Sequence, residues 1–484
     1  MNLKKDALIN IVVNAFTTIL NFIFVPFLAR EISLEENGEY GQVLLVSNLL
    51  VLIFNLGILN IYPVLLNEFK NEINKVFSNT IYLLGLSSII AILVQVVIGL
   101  FSILFLHSNI EEYLIIYSLF TVSTIFIGVI TPQLIFEGKS SKLVLITLVF
   151  TTVRLLLSFL FIRVYHSVLY LVIVNTVINF LQAIALYLLV DKEKRKFTKF
   201  DSTIIKHIIA ESYPFVILSF LGYSIVYIDG WMLSNLLSTA EYAIYRNGAI
   251  EIPFIATVYS SIAGLVMYKL AKLKSENEVA QMFQLKSKVV QTIAVFTFPV
   301  IIFFIINADY FIPLYLGAKY IQSAAVFSVF SAAALIRINN YGELLIINKN
   351  KKVIIYANLI TFITNLIMNY FFIKNFGFIG AAFAYLISVF LLAGMLTYKT
   401  IKIYNVPLSA YFNFNILIKL SLVSILFSFG LKFLQGLNFY FYAITIAFVF
   451  ALFYLAIIKF TNWIQTDLLP AQVLKYYKKL KPSA

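Results

Sequence analysis

The residues of this chain that could do chemistry are few, and the first is Arg154, in the run LVFTTVRLLLSFLFIRV at 148–164. No other charged side chain lies within eight positions on either side of it. Arg337 in AAALIRINNYGELL and Lys419 in NILIKLSLV are two further cations set inside apolar runs. The acidic counterparts are Asp229 in YSIVYIDGWML, Glu251 in GAIEIPF and Glu343 in NNYGELL. An ionisable residue inside a membrane helix costs roughly 2.5–3.5 kcal/mol on insertion scales, so it normally faces a partner or a wet cavity. Three arrangements are open: cation–carboxylate pairs that staple helices, cations lining a cavity that holds an anionic headgroup, or unpaired placement toward lipid. Arginine suits the second because its planar fork stays charged and donates two parallel hydrogen bonds to phosphate. Bare pyrophosphate in hydrocarbon would be prohibitively costly without such partners.

Uncharged polar residues add to this set. Asn365 and Asn369 are four apart and share one helix face. Thr151, Thr152 and Ser158 flank Arg154, and Asn175, Asn179 and Gln182 mark the following stretch. Such residues serve as interhelical glue or as ligands. His107, His166 and His207 are isolated from one another, and there is no cysteine, so disulfides and thiolate metal sites are excluded. No metal and no cofactor is expected.

The elements that must carry these residues are membrane helices. The chain is 61% hydrophobic and only 12% charged, with a mean hydropathy of +0.94; soluble domains carry about one-quarter charged residues. Fourteen apolar stretches are long enough to cross a bilayer: 7–29, 40–66, 77–106, 113–136, 143–165, 167–190, 212–237, 242–268, 287–307, 321–347, 353–373, 377–398, 411–434 and 438–460. They are too long and too uniformly apolar for the alternating strands of an outer-membrane barrel. The first is read as a retained helix, because its apolar run exceeds a signal-peptide core and no A-x-A site follows. Pro26, Pro132, Pro253 and Pro299 permit kinks.

The net charge of +14 is a topology signal. With the N-terminus inside, the inner segments, 269–288 among them, hold 27 of the 36 Lys and Arg residues, which is the positive-inside rule at strength. Both termini are then cytoplasmic, and no nucleic-acid partner is expected.

The longest polar inner linker, DKEKRKFTKFDSTIIKHIIAES, divides the stretches into two sets of six, with two left over. GEYGQ at 38–42 has a counterpart in AEYAI at 240–244, and the segment at 140–164 lies over that at 350–376. An even number of helices per repeat keeps both repeats in one orientation, so their axis lies along the membrane normal, as in parallel-repeat transporters. The expected fold is therefore an all-α integral membrane protein of about fourteen helices, with two parallel-repeat six-helix lobes around a central cleft and two extra C-terminal helices. The N-lobe covers 1–190, a cytoplasmic linker 191–211, the C-lobe 212–402, helices 13 and 14 403–460, and a basic cytoplasmic tail 461–484. Asp229 falls in the outer third of the seventh helix, Glu251 near the middle of the eighth, and Arg337 at mid-depth or in the inner half of the tenth.

Five pieces, in order, resemble the Wzx-type oligosaccharide flippase branch of the multidrug/oligosaccharidyl-lipid/polysaccharide (MOP) exporter superfamily. They are PFLAREIS with NGEYGQ at 26–42, the arginine helix at 140–164, YSIVYIDGWMLSNLLSTAEYAIY at 223–245, FIPLYLGAKYIQSAAVFSVFSAAALIRI at 311–338, and NLITFITNLIMNYFFIKNFGFIGAAFAYLIS at 358–388. The resemblance implies two lobes around a central cleft with helices 13 and 14 packed outside. It also implies transfer of an undecaprenyl-pyrophosphate-linked sugar repeat to the outer leaflet, for surface polysaccharide or O-antigen assembly. Within it, Arg154 and Arg337 match cationic positions that meet the pyrophosphate, and Asp229 matches an acidic position of the seventh helix.

The substrate-binding candidates are Arg154, Arg337, Asn365, Asn369 and Lys419, with Lys419 shallow enough to snorkel. Asp229 and Glu251 are the coupling or ion-pair candidates, for H+ or Na+. The expected partners are the lipid-linked oligosaccharide, membrane lipids, and a polymerase or ligase of the same pathway. The lipid II branch places several arginines in its first two helices, whereas this chain has only Arg30 there. The alternative is a cation-coupled multidrug (MATE-like) antiporter, which requires an acidic, largely cation-free cleft. An enzyme is not expected, since no predicted outer loop is large and no His/Asp/Glu cluster is evident.

Overall fold

The computed structural model describes residues 20–252, 255, 266–436, 439–461 and 463. Part of the first expected stretch, much of the eighth with Pro253, and nearly all of the basic tail lie outside the described residues. The described chain is helical, with no strand among its elements, and nine of its helices are long and apolar enough to cross a membrane. The all-α multi-pass membrane fold expected from composition is the fold observed. It clusters into two compact units, Met1–Arg246 and Asn247–Ala484.

In the first unit the Glu111–Phe136 helix is the hub, packed by Leu34–Phe54, Ile58–Glu68, Ile73–Leu100, Ser140–Tyr165 and Val168–Leu189. In lipid there is no hydrophobic drive between helices, so polar side chains and close packing hold them. Gln95 Nε2 donates to Ser47 Oγ at 3.2 Å and to the Leu114 carbonyl at 3.0 Å, while Thr121 Oγ1 donates to Gln95 Oε1 at 2.8 Å. One buried glutamine thereby ties three helices. Asn179 Nδ2 adds a bond to Thr124 Oγ1 at 2.9 Å, so this residue acts as the glue its position suggested.

The second unit is built on Val279–Ile306, which packs against Phe414–Gly430 and Ser323–Ile336. Its core gathers Phe283, Val290, Ile293, Leu344 and Tyr411.

Several stretches that read as single helices are broken or shifted. The 40–66 stretch is two helices, Leu34–Phe54 and Ile58–Glu68. Leu56 and Gly57 take positive φ between them, and Asn55 Oδ1 accepts from the Gly57 amide at 2.7 Å. A side chain that satisfies its own neighbouring backbone competes with the helix. The 321–347 stretch is also interrupted, with Ser323–Ile336 ending before Arg337 and Glu343–Ile347 resuming after it. Arg337 is therefore a C-cap residue rather than mid-helix, because Asn339, Asn340 and Gly342 favour a turn there. Likewise Glu251 follows the helix Thr239–Gly248 and is not within a helix.

Several helices start before their apolar runs, two of them by about two turns or more. One begins at Ser202, capped by Asp201, and one at Val279. Conversely, the unbroken segment Lys351–Tyr404 holds two helices, because Gly377 sits at φ 60°, ψ −147°. Asn365 bonds Ser388 across this turn, and a Cβ on Gly380 would lie 2.1 Å from the Phe372 carbonyl oxygen. Positions 365 and 388 are nearly symmetric about Gly377, so the arms form an antiparallel hairpin.

Candidate functional site

The site is built first on the Ser140–Tyr165 helix. Arg154 is about 21 Å along it from Ser140 at 1.5 Å per residue. Its side chain is half-buried and forms no hydrogen bond or ion pair with any described residue. Its charge reaches two buried tyrosines that share one core cluster, Tyr40 and Tyr117. Tyr40 comes from Leu34–Phe54, which a capping box starts: Ser33 Oγ accepts from the Glu36 amide at 3.1 Å, and Glu36 Oε2 accepts from the Ser33 amide at 3.0 Å.

A second cation acts on the same tyrosine pair. Arg246 Cζ lies 5.6 Å from the Tyr40 ring centroid, within cation–π range. Its Nη1 donates to Asn37 Oδ1 at 3.1 Å. The Arg246 stem passes Gly41, where a Cβ would stand 2.7 Å from Arg246 Cδ. Tyr242 donates its hydroxyl to the Gly41 carbonyl at 3.4 Å. The matching motifs GEYGQ and AEYAI thus pack on each other, and bring Arg246 beside Tyr40. The sequence reading missed Arg246 because it stands near the end of an apolar run, where a cation looks interfacial. The motif match was the signal that could have found it.

Arg337 belongs to the second unit. Its Nη1 donates to Glu251 Oε1 at 2.6 Å and to the Tyr385 hydroxyl at 2.9 Å. Tyr385 stacks on Phe330 at 4.4 Å, with the rings 8° apart. The pair is open, with Arg337 and Glu251 side chains 51% and 63% exposed. Arg337 therefore has an ion-pair partner, and both ends of that pair remain reachable from outside.

The other expected residues are placed differently. Asn369 Nδ2 donates to Asn365 Oδ1 at 3.1 Å, and Asn365 Nδ2 donates to Ser388 Oγ at 3.1 Å. Both asparagines are fully buried, so in this conformation they join the hairpin arms. Asp229 is buried and accepts from the Tyr245 hydroxyl at 3.2 Å. Lys419 is exposed, beside the exposed Ile418 and Leu422, on Phe414–Gly430, and meets none of the other candidates. A further cation escaped the sequence reading. Lys286, counted there with an inner loop, is 1% exposed and ion-paired with the equally buried Glu343. The early start of its helix at Val279 moved it from loop to core.

At the 137–142 turn, Lys139 bridges Glu137 at 2.7 Å and donates to the Leu189 carbonyl at 2.8 Å. It also meets Asp191 at 2.5 Å, and Lys194 approaches Asp191 at 3.3 Å. The Lys139 hydrogen bond holds the Asp191 carboxyl below its ordinary range; partial burial opposes this and Lys194 adds to it.

A family model described as polysaccharide biosynthesis protein matches residues 3–268. No curated protein matches the chain in sequence. Among solved structures, lipid II flippase MurJ in an inward closed conformation superposes with a TM-score of 0.72 and 16% identity, over 93% of this chain and 98% of that one. An inward-facing multidrug resistance MATE family transporter of the MOP superfamily gives 0.59 and 12%, over 82% and 98%. A MATE transporter from Vibrio cholerae gives 0.53 and 11%, over 81% and 94%. At these identities the likeness is one of fold.

Proposed function

Because this chain belongs to the polysaccharide biosynthesis protein family and shares the fold of MOP-superfamily transporters, we propose that it is a flippase for a lipid-linked oligosaccharide. The cargo is an undecaprenyl-pyrophosphate-linked repeat unit for surface polysaccharide or O-antigen assembly. The membrane is the bacterial cytoplasmic membrane, with both termini inside as the distribution of basic residues indicates.

The observation that carries this reading is Arg154: deep in an apolar helix, half-buried, and without an ion-pair partner among the described residues. A cation that only stapled helices would sit against a carboxylate. Arg154 instead stands with Arg246 around buried tyrosines, leaving its donors for a transient anion. In this mechanism Arg154 and Arg246 replace water around the pyrophosphate while the prenyl chain stays in lipid. In the second unit, Arg337 offers a phosphate position of its own by exchanging Glu251 for the anion, and Tyr40 and Tyr385 supply ring faces for sugar. Alternating access then moves the head across, driven by differential affinity of two conformations. Coupling to H+ or Na+ falls to Asp229 and Glu251, and a polymerase or ligase takes the product. Asn365, Asn369 and Lys419 are left as supporting positions.

The fold is also that of MATE transporters, so cation-coupled drug export is the second reading. It is favoured by accessible carboxylates with Arg154 and Arg337 fully paired; Arg337 is paired with Glu251, whereas Arg154 has no ion-pair partner among the described residues.

The test is purified full-length protein in vesicles containing a fluorescent undecaprenyl-pyrophosphate-linked oligosaccharide, read by a membrane-impermeant quencher. Protein-dependent loss of protection is expected. No loss, together with uptake of a cationic dye on an imposed ion gradient, would replace this proposal with the antiporter.

A further inference from the structure

The buried pair Lys286–Glu343 is not used by the mechanism above, yet an ammonium and a carboxylate in a core are expensive to desolvate. Their surroundings show what they hold. Lys286 lies about 10 Å along Val279–Ile306, next to Phe283 and facing the break between Ser323–Ile336 and Glu343–Ile347. Besides Glu343, its Nζ donates to the Asn340 carbonyl at 3.1 Å.

That carbonyl is inside the break. Where a helix stops among packed helices, its loose backbone groups need partners. Here side chains supply them: Tyr341 donates to the Ile336 carbonyl at 2.7 Å, Asn340 Oδ1 accepts from the Gly342 amide at 3.1 Å, and Lys286 takes the Asn340 carbonyl. The first two bonds are internal to the segment, whereas Lys286 reaches it from another helix. Glu343, the first residue of the resumed helix, fixes the far edge of the break. Arg337, C-cap of the helix that stops, forms its near edge.

We propose that Lys286 and Glu343 are positioning residues for Arg337. They clamp the 337–342 break to the Val279–Ile306 helix, so that the cation-bearing corner and that helix move together. An apolar pair could fill the same volume but could not bond the Asn340 carbonyl. The inference rests on the proposed flippase role of Arg337 only for its consequence in transport.

The chain contains no cysteine, so Arg337→Cys introduces one thiol at the corner. Its reaction rate with a water-soluble methanethiosulfonate is measured on full-length protein in phosphatidylethanolamine/phosphatidylglycerol vesicles. Lys286→Met combined with Glu343→Leu, apolar and similar in volume, should shift the rate by about fivefold or more, as expected when coupled neighbours are disconnected. Lys286→Arg, which keeps charge and donor, should restore the parental rate. A rate within about twofold of the parent in the apolar pair would overturn the proposal. If that pair fails to fold, Lys286→Met with Glu343→Gln, which still removes the donor to the Asn340 carbonyl, serves instead, with the same two outcomes.

A transport arm separates this from the proposed function. Arg337→Ala should slow transfer of the undecaprenyl-pyrophosphate-linked oligosaccharide in the parent and add little in the apolar-pair background. A labelling shift with normal transfer by Arg337→Ala keeps the clamp and removes the role of Arg337. Slow transfer by Arg337→Ala with unshifted labelling does the reverse.

Discussion

Gly38 lies against Thr239 so closely that a Cβ at position 38 would stand 2.1 Å from the Thr239 carbonyl oxygen. The obstacle is backbone, which cannot swing aside. Gly38→Ala should therefore force the segments apart and destabilise the protein by about 1–3 kcal/mol, the usual range for overpacking. Thermal unfolding of detergent-solubilised protein measures it. Gly85, with open space around its missing Cβ, is the control: Gly85→Ala should be neutral or slightly stabilising.

Arg154→Gln and Arg246→Gln should each lower transfer of the lipid-linked oligosaccharide by roughly ten- to a hundredfold, from loss of about 1.5–3 kcal/mol per charged hydrogen bond. Arg154→Gln should leave folding unchanged, since Arg154 bonds no described residue. Arg246→Gln should also cost some stability, because it loses its cation–π contact with Tyr40 and weakens its bond to Asn37. Transfer assays paired with unfolding curves distinguish the two.

The Arg337–Glu251 pair is exposed on the protein surface, and exposed ion pairs contribute only about 0–1 kcal/mol. Glu251→Gln should then barely change the unfolding midpoint. If phosphate competes with Glu251 for Arg337, the same variant should lower the KM for the pyrophosphate-linked cargo. The antiporter reading expects the opposite sign, with loss of ion-driven dye export.

Asn365 and Asn369 answer a different kind of test. Bonds of this type in membrane bundles are worth about 0.6 kcal/mol on average. Ser388→Ala should cost about that much in stability and leave transfer intact. A specific loss of transfer at normal stability would return the asparagines to the list of cargo contacts.

At the 137–142 turn, the bond from Lys139 depresses the Asp191 carboxyl, whose ordinary value is 3.8. A carboxylate lowered in the folded state contributes stability that is complete above its unfolded value and lost as pH falls through its folded value. Hydrogen exchange in the 190–200 segment should stay slow down to about pH 4 and accelerate only below it. Asp191→Asn should exchange faster across the whole neutral range and show no acid step. An acid step retained in Asp191→Asn would assign the titration to another group.

The sequence disclosed the membrane fold because mean hydropathy survives averaging over 20 residues. It did not disclose the breaks at 55–57 and 337–342, since one asparagine or glycine barely changes such an average while deciding the local backbone. Those breaks displaced Arg337 and Glu251 from mid-helix to helix ends. Lys286 was obscured in the opposite way: its polar neighbourhood in LKSKVV reads as loop, although the helix already runs through it. Arg154 was legible because nothing near it competes for attention, and Asp229 because it stands alone in an apolar run. Arg246 needed the packing of two distant motifs, which spacing along the chain does not reveal.

The hairpin at Gly377 bears on how the protein is made. Its arms are consecutive in the chain, and its cross-arm bond, Asn365 to Ser388, needs no other helix to be present. Once both arms have left the ribosome they can enter the bilayer as one unit, shielding each other's amide groups during insertion. Residues far downstream are not required for that step, so the hairpin can close before Phe414–Gly430 and Phe439–Phe460 are made.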